Sequence, residues 1–381
     1  MFPSGGDWFQ THRAVGRRMV WVCLWLALLC SAALSCCGVS VHDPGQARRP
    51  PTPRPETPTT VPYLGEGAQV VSDEAWGSTE LLPAARLTDG LTVDNLNRAP
   101  SAAFFREHYR ISEHVAVSWS GGYSQCKPGA TSAEYREAVV HRINYFRAMA
   151  GVPASIVLDA TMNAAAQHAA LMMAANGKVS HTPDPEWYCY SEEGDRAAGA
   201  SNLYAGVWGP RAIDGYMEDP GELNYHVPHR RWLLYPRTRV MGTGDVPGRS
   251  GFLGANALMV WGPRSLARPQ TRDGFVAWPP PGYVPYQVVY PRWSFSYDGA
   301  DFQRASIAMS RGDEAVLLAV MPLASGYGEN TIVWQPELAV GVAPQRDIWY
   351  TVHINDVRIE GVTHDFSYAV IVFDPDAPYV P

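Results

Sequence analysis

Apolar residues recur every three to four positions through residues 130–235, then closer to every second position toward the C-terminus. That change of period divides the chain. Tyr135, Val139, Ile143, Phe146 and Ala150 fall on one helical face, opened by Thr131 and Glu134 at capping-box spacing and stopped by Gly151 with Pro153 beyond. A second helix is predicted from Asp159 as N-cap through Met162, Ala165, Ala166, Ala169, Met172 and Met173 to Asn176 and Gly177; its alanines and methionines read as core filler. A third begins at Pro210 in the first-turn position and carries Ile213, Tyr216 and Met217; a fourth runs from Pro228 to Leu234, before Pro236. RVMGTG and ANALMVWG, which follow, read as short strands.

Beyond about Pro269, proline-punctuated runs rich in aromatic and β-branched residues replace the helical period. SIAMSRG, AVLLAVMPL, NTIVWQP, IWYTVHINDVRIEG and SYAVIVFDP are strand-like and separated by turn residues, which predicts an antiparallel immunoglobulin-like β-sandwich over residues 268–381. Residues 63–129 are mixed, with a short helix expected at APSAAFFREHYR, and are read as an N-terminal extension packed on the following domain. Before them, residues 36–62 are rich in proline and threonine and poor in large apolar side chains, the composition of an extended tether.

The first 35 residues add a compartment. Arg13, Arg17 and Arg18 precede the uncharged run from Met19 to Leu34, the n-region and h-region of an export signal. That run is shorter than the roughly 20 residues a membrane-spanning helix needs. ALSCCG then offers a small-residue cleavage site followed by Cys36, a pattern that resembles a bacterial lipobox, with Ala33 where leucine is usual. Taking Cys37 instead restores Leu34 at that position. The plain alternative is a secreted protein with no lipid. Outside the signal and its junction only Cys126 and Cys189 remain, and in an oxidising compartment they most simply form one disulfide, against the alternative of free thiols. The net charge of −7 falls to near −9 once the signal's three arginines and Asp7 leave, and no long basic run is present, so nucleic acid is not the expected partner.

INYFRAMAGVP, LDATMNAAAQHAALMMAANGKVSHTP, SNLYAG, GYMEDPG, HRRWLLYP and MGTG, in that order and spacing, resemble the CAP superfamily of cysteine-rich secretory, antigen-five and pathogenesis-related proteins. The resemblance covers roughly residues 130–263 and sets the domain at 130–267. It implies a three-layer α/β/α sandwich whose central cleft is lined by two histidines and two acidic residues. Carried over, the histidines are His181 in VSHTP and His229, with Pro228 where the family has glycine. One acidic position falls on Asp219, three residues after Tyr216; the other falls on Ser201, so that carboxylate is missing, while Asn202 is kept.

Two imidazoles with one carboxylate would make a weak, open metal site for zinc or copper, zinc being the first candidate, with His181 and His229 the candidate ligands. No HExxH and no G-x-S-x-G accompany them. His226, absent from the family pattern, reads as a surface-loop residue, and Arg230 and Arg231 as residues that solvate a helix face or pair with carboxylates. The depleted tetrad favours a binding module for a lipid, glycan or protein ligand, exported and held at a membrane through its N-terminal lipid. The alternatives are a metal-dependent hydrolase, such as a peptidase, using His181, His229 and Asp219, and an adhesive or structural surface protein. Mass spectrometry of the mature N-terminus tests the export reading: the chain is expected to begin at Cys36 and carry a diacylglyceryl mass, whereas an unmodified N-terminus indicates plain secretion.

Overall fold

The computed structural model describes Tyr63–Leu64, residues 81–249 and residues 251–379. The export segment, Cys36, Cys37 and the tether lie outside them. Strand β1 (Tyr63–Leu64) and β2 (Leu81–Leu82) precede helix α1 (Arg98–Phe104), which runs into a π-helical turn at Phe105–Tyr109 and a 3-10 turn at Arg110–Ser112. Then come α2 (Ala133–Met149), β3 (Val157–Leu158), α3 (Ala160–Asn176), α4 (Glu192–Gly199), β4 (Ser201–Ala205), α5 (Pro210–Glu218), α6 (Pro228–Leu233), β5 (Val240–Val246), β6 (Ala255–Met259) and β7 (Arg264–Ser265). Among these described elements no helix is long and apolar enough to cross a membrane.

The helix ends follow local chemistry. α3 is capped by the Asp159 carboxylate, which accepts from Met162 N at 2.8 Å, and closes at Gly177 in the left-handed region. α2 is capped by Ser132, whose hydroxyl accepts from Tyr135 N, and not by Thr131, one residue earlier. α4 was not anticipated: Ser191 caps it and three acidic residues fill its first turn, but only small residues face inward, leaving no apolar stripe to read.

Strands β1-β4-β6-β5-β3 form one sheet, antiparallel across β4, β5 and β6. Helices cover both faces. On one, Leu203, Ala257 and Met259 pack with α3 and α4; on the other, Tyr204, Leu258 and Met241 pack with α2, α5 and α6. The close approach of α3 depends on glycine, since a Cβ at Gly244 would lie 2.2 Å from the Ala166 backbone and one at Gly242 2.4 Å from Met162 Cβ. Cys126 and Cys189 are disulfide-bonded, joining the segment before α2 to the one before α4; closing a loop of that length contributes about 4 kcal/mol in the chain-entropy model.

The C-terminal strands are β8 (Val276–Trp278), β9 (Gly282–Pro285), β10 (Trp293–Tyr297), β11 (Ser306–Arg311), β12 (Glu314–Ala315), β13 (Leu318–Val320), β14 (Asn330–Pro336), β15 (Ile348–Ile359) and β16 (Val362–Phe373). They build two sheets, ordered β13-β14-β10-β8 and β12-β11-β15-β16-β9. Pairing is antiparallel except between β16 and β9, which run parallel. The β15–β16 turn has Glu360 and Gly361 both at positive φ, the geometry that matches the twist of a hairpin. The core runs without a break from α2 into these sheets: Phe146 meets Trp278 edge to face at 5.2 Å, and Trp293, Phe295 and Trp334 continue it.

Arg147 crosses that core. Fully buried on α2, it donates to the carbonyls of Pro153, Leu233, Tyr235 and Thr238, and so fastens the helix to the chain leaving α6. Burial pushes its pKa down to about 9, which still leaves it charged at neutral pH. Replacing it removes four charge-assisted bonds and strands three buried carbonyls and one part-buried one. Arg147→Met is expected to lower the unfolding free energy by about 3–5 kcal/mol in urea titration; a loss under about 1 kcal/mol would show that the carbonyls find other donors.

Candidate functional site

α5 ends in Asp219, whose backbone turns left-handed and whose N–H closes on Gly215 O at 2.8 Å. After a loop, α6 opens with Pro228, and the residue at its N-cap position, Val227, has no side-chain oxygen to offer the free N–H groups. The Asp219 carboxylate does that work from across the loop. It accepts from His229 N at 2.9 Å and Arg230 N at 3.2 Å, and its other oxygen accepts from His229 Nδ1 at 2.7 Å. Both Asp219 and His229 are 0% exposed. With Nδ1 donating, a neutral imidazole has its lone pair on Nε2, an assignment made from the partner. That atom is buried with no hydrogen-bond partner among the described residues. The ring stacks nearly parallel on Tyr216, 12° between planes.

Neighbouring strand residues face opposite ways. On β4, Asn202 donates to His229 O at 3.1 Å, while Ser201 Oγ donates back to Ala197 O at 2.7 Å, in the last turn of α4. His181 joins that second group: its Nδ1 lies 2.8 Å from Ala198 O, and the ring is half-buried. The five residues carried over from the family pattern therefore fall into two sets. His229, Asp219 and Asn202 come together at the start of α6; His181 and Ser201 are both tied to the end of α4. Among the described residues no group of three His, Cys, Asp or Glu side chains is placed to hold a metal ion, so the three-ligand zinc arrangement does not fit these side chains.

Two expectations about this segment are corrected. Arg230 and Arg231 are not a solvated face but 1% and 5% exposed. Arg230 donates to Met217 O, Glu218 O, Arg292 O and Ser294 Oγ, and Arg231 to Ala324 O and Glu329 O, so the pair binds the C-terminal strands to α6. Burial pushes each pKa down to about 10, and both stay charged at neutral pH. His226 is 6% exposed and packs on Tyr327 at 4.7 Å, so it is interior and not a surface-loop residue. From the other side Arg292 donates to the carbonyls of Asp219, Gly221 and Asn224, which fixes the loop that carries Asp219.

Asp245 was missed altogether. Wholly buried on β5, it accepts from Gly209 N, Thr243 Oγ1 and Asn256 Nδ2, and Asn256 in turn accepts from Tyr216 OH at 2.6 Å. Burial raises its pKa against those three hydrogen bonds, which favour the charged form. The signal in the sequence was an acidic residue set among glycines and apolar neighbours in MGTGDV.

On the outer side of Gly209 the domain opens. A cavity of ≈ 300 Å³ is walled by Val115, Val117, Tyr135, Val207, Trp208 and Pro210, with Ser112, Glu113, Gly206 and Arg211 completing it. Glu113 and Arg211 are solvent-exposed. Its walls come from the segment before α2, the first turn of α2 and the β4–α5 connection. The groove is thus distinct from the buried His229–Asp219 pair.

Residues 140–259 match the sequence model of the cysteine-rich secretory protein family, CAP. No curated protein matches the chain. The solved structure of PcoC, described as a methionine-rich copper resistance protein from Escherichia coli, is similar to 25% of this chain and 92% of its own, at 12% identity and a TM-score of 0.20, a likeness that carries no argument. The capping role of Asp219 is open to direct measurement. Asp219→Ala leaves three buried donors without an acceptor and is expected to cost about 3–5 kcal/mol in chemical unfolding; a cost near that of an ordinary helix cap, about 1 kcal/mol, would mean the loop closes in without it.

Proposed function

Residues 140–259 form a CAP domain, and on that premise we propose that the chain is an exported, lipid-anchored binding protein whose ligand is an amphipathic lipid. The observation that carries this reading is the contrast between two places in the domain. Four of the family's five carried-over positions are closed off: Asp219, His229, Ser201 and Asn202 are fully buried, with hydrogen bonds to backbone and between Asp219 and His229, and only His181 is part-exposed. The groove beside Gly209 is open, and its wall is aliphatic and aromatic with two opposite charges on exposed residues. An acyl chain fits the wall, and a polar head fits Arg211 and Glu113. A volume of ≈ 300 Å³ is at the lower end of small-molecule sites and suits one chain in place of a bulky ring system.

In this reading Cys36 carries the lipid, residues 36–62 are the tether, and the domain stands off the membrane where free lipid is scarce. The C-terminal strands form an immunoglobulin-like sandwich that buttresses α6 through Arg230 and Arg231. The chain acts by binding, without turnover.

The test is binding of a fatty acid and of a lysophospholipid to purified protein, followed by tryptophan fluorescence and calorimetry. Val117→Arg places a charge in the apolar wall and is expected to weaken binding about a hundredfold, from the cost of burying an ionised group against a hydrocarbon chain. The melting temperature should stay put, because Val117 is only half-buried. Unchanged lipid affinity in that variant would remove the groove from the function.

A further inference from the structure

We propose that His108 and His141 together form a binding site for a divalent ion of tetragonal preference, copper(II) or nickel(II), on the α1–α2 face of the molecule. His108 Nδ1 and His141 Nε2 stand 3.0 Å apart. The two rings belong to different elements, His108 to the π-helical turn at Phe105–Tyr109 and His141 to the middle of α2. Single π turns occur in helices mostly at functional positions, where the extra residue re-aims a side chain. Here the turn brings His108 against α2, with its ring packed on Phe104 at 4.5 Å.

The spacing selects the ion. With metal–nitrogen bonds of about 2.0–2.1 Å, two nitrogens 3.0 Å apart subtend roughly 95° at the metal, whereas a tetrahedral ion holds its ligands about 3.3 Å apart. Near-right angles are the adjacent positions of a square-planar or octahedral ion, and imidazole suits copper(II) and nickel(II), which also head the affinity order for such ligands. Both residues are half-buried, and water would complete the coordination. In the metal-free protein one of these two nitrogens donates to the other, so metal binding displaces that proton, to solvent or to the ring's other nitrogen. Arg142, the residue after His141, is held in an ion pair with Asp214.

The site is separate from the residues at the start of α6 and from the groove, and its fate does not bear on the proposed lipid. The experiment uses the purified protein without a histidine tag. Calorimetric titration with copper(II) and with nickel(II) is expected to give one equivalent, and His108→Gln and His141→Gln should each weaken binding about tenfold or more. His114→Gln, which alters an exposed histidine outside the pair, should leave the affinity unchanged. Affinity in the wild type no tighter than in the two glutamine variants overturns the site and leaves the pair as a hydrogen-bonded link between helices. Should either variant unfold, the wild type alone decides: its copper(II) resonance should show two equatorial imidazole nitrogens, with paramagnetic broadening centred on His108 and His141. Broadening centred elsewhere refutes the assignment.

Discussion

The three hydrogen bonds accepted by the Asp219 carboxylate set the geometry of everything around α6. A helix of six residues has almost no stability of its own, because most of its N–H groups are end groups. Its start is made by a residue from the previous helix, and that residue is buried, so the two ends of the loop are locked at one separation. Once α6 is placed, the carbonyls of Arg292, Ala324 and Glu329 and the Ser294 hydroxyl close on Arg230 and Arg231. The imidazole that gives the family pattern its second histidine becomes part of the same lock.

Buried arginines are the common device of this chain. Arg147, Arg230 and Arg231 each sit in the interior and are satisfied chiefly by backbone carbonyls. A guanidinium has five donors in a fixed plane and can gather carbonyls from several loops at once, which a helix or strand cannot do. Loops that would otherwise carry unsatisfied oxygens into the core are held there by these three side chains. The cost is desolvation, visible as the downward push on all three pKa values, and the hydrogen bonds to carbonyls offset it, although Arg231 Nε has no hydrogen-bond partner among the described residues. Such junctions tolerate little change in sequence, which makes α6 and its surroundings a rigid frame.

Much of the helical half was legible because its signals are local. Asp159 and Gly177 bracket α3 as caps, and the 3.6-residue period of Tyr135 to Phe146 marks α2. NTIVWQP and IWYTVHINDVRI announced β14 and β15 by their β-branched and aromatic runs. The misses are of another kind. SNLYA, buried at all five positions, has no alternation to betray a strand covered on both faces. Arg230 and Arg231 look like surface residues by type, and only the arrival of segments some sixty to a hundred residues later buries them. The family pattern located His229, Asp219 and Asn202, but a spacing rule cannot say that the carboxylate caps a helix instead of facing a ligand.

That distinction redirects attention along the chain. The Asp219–His229 carboxylate–imidazole pair is fully buried and does not meet solvent, and of the positions the family pattern marks only His181 is part-exposed. Two positions outside that pattern sit on the face made by the segment before α2 and by α2 itself: the groove walled by Val115, Val117 and Tyr135, and the His108–His141 pair. Both depend on how that N-terminal segment lies against α2, and the Arg142 guanidinium, donating to Ser112 Oγ and Tyr109 O and paired with Asp214 on α5, is what fastens it there. A residue that belongs to neither feature therefore ties together the elements that carry both, and the segment before α2 is as much a part of that face as α2 itself.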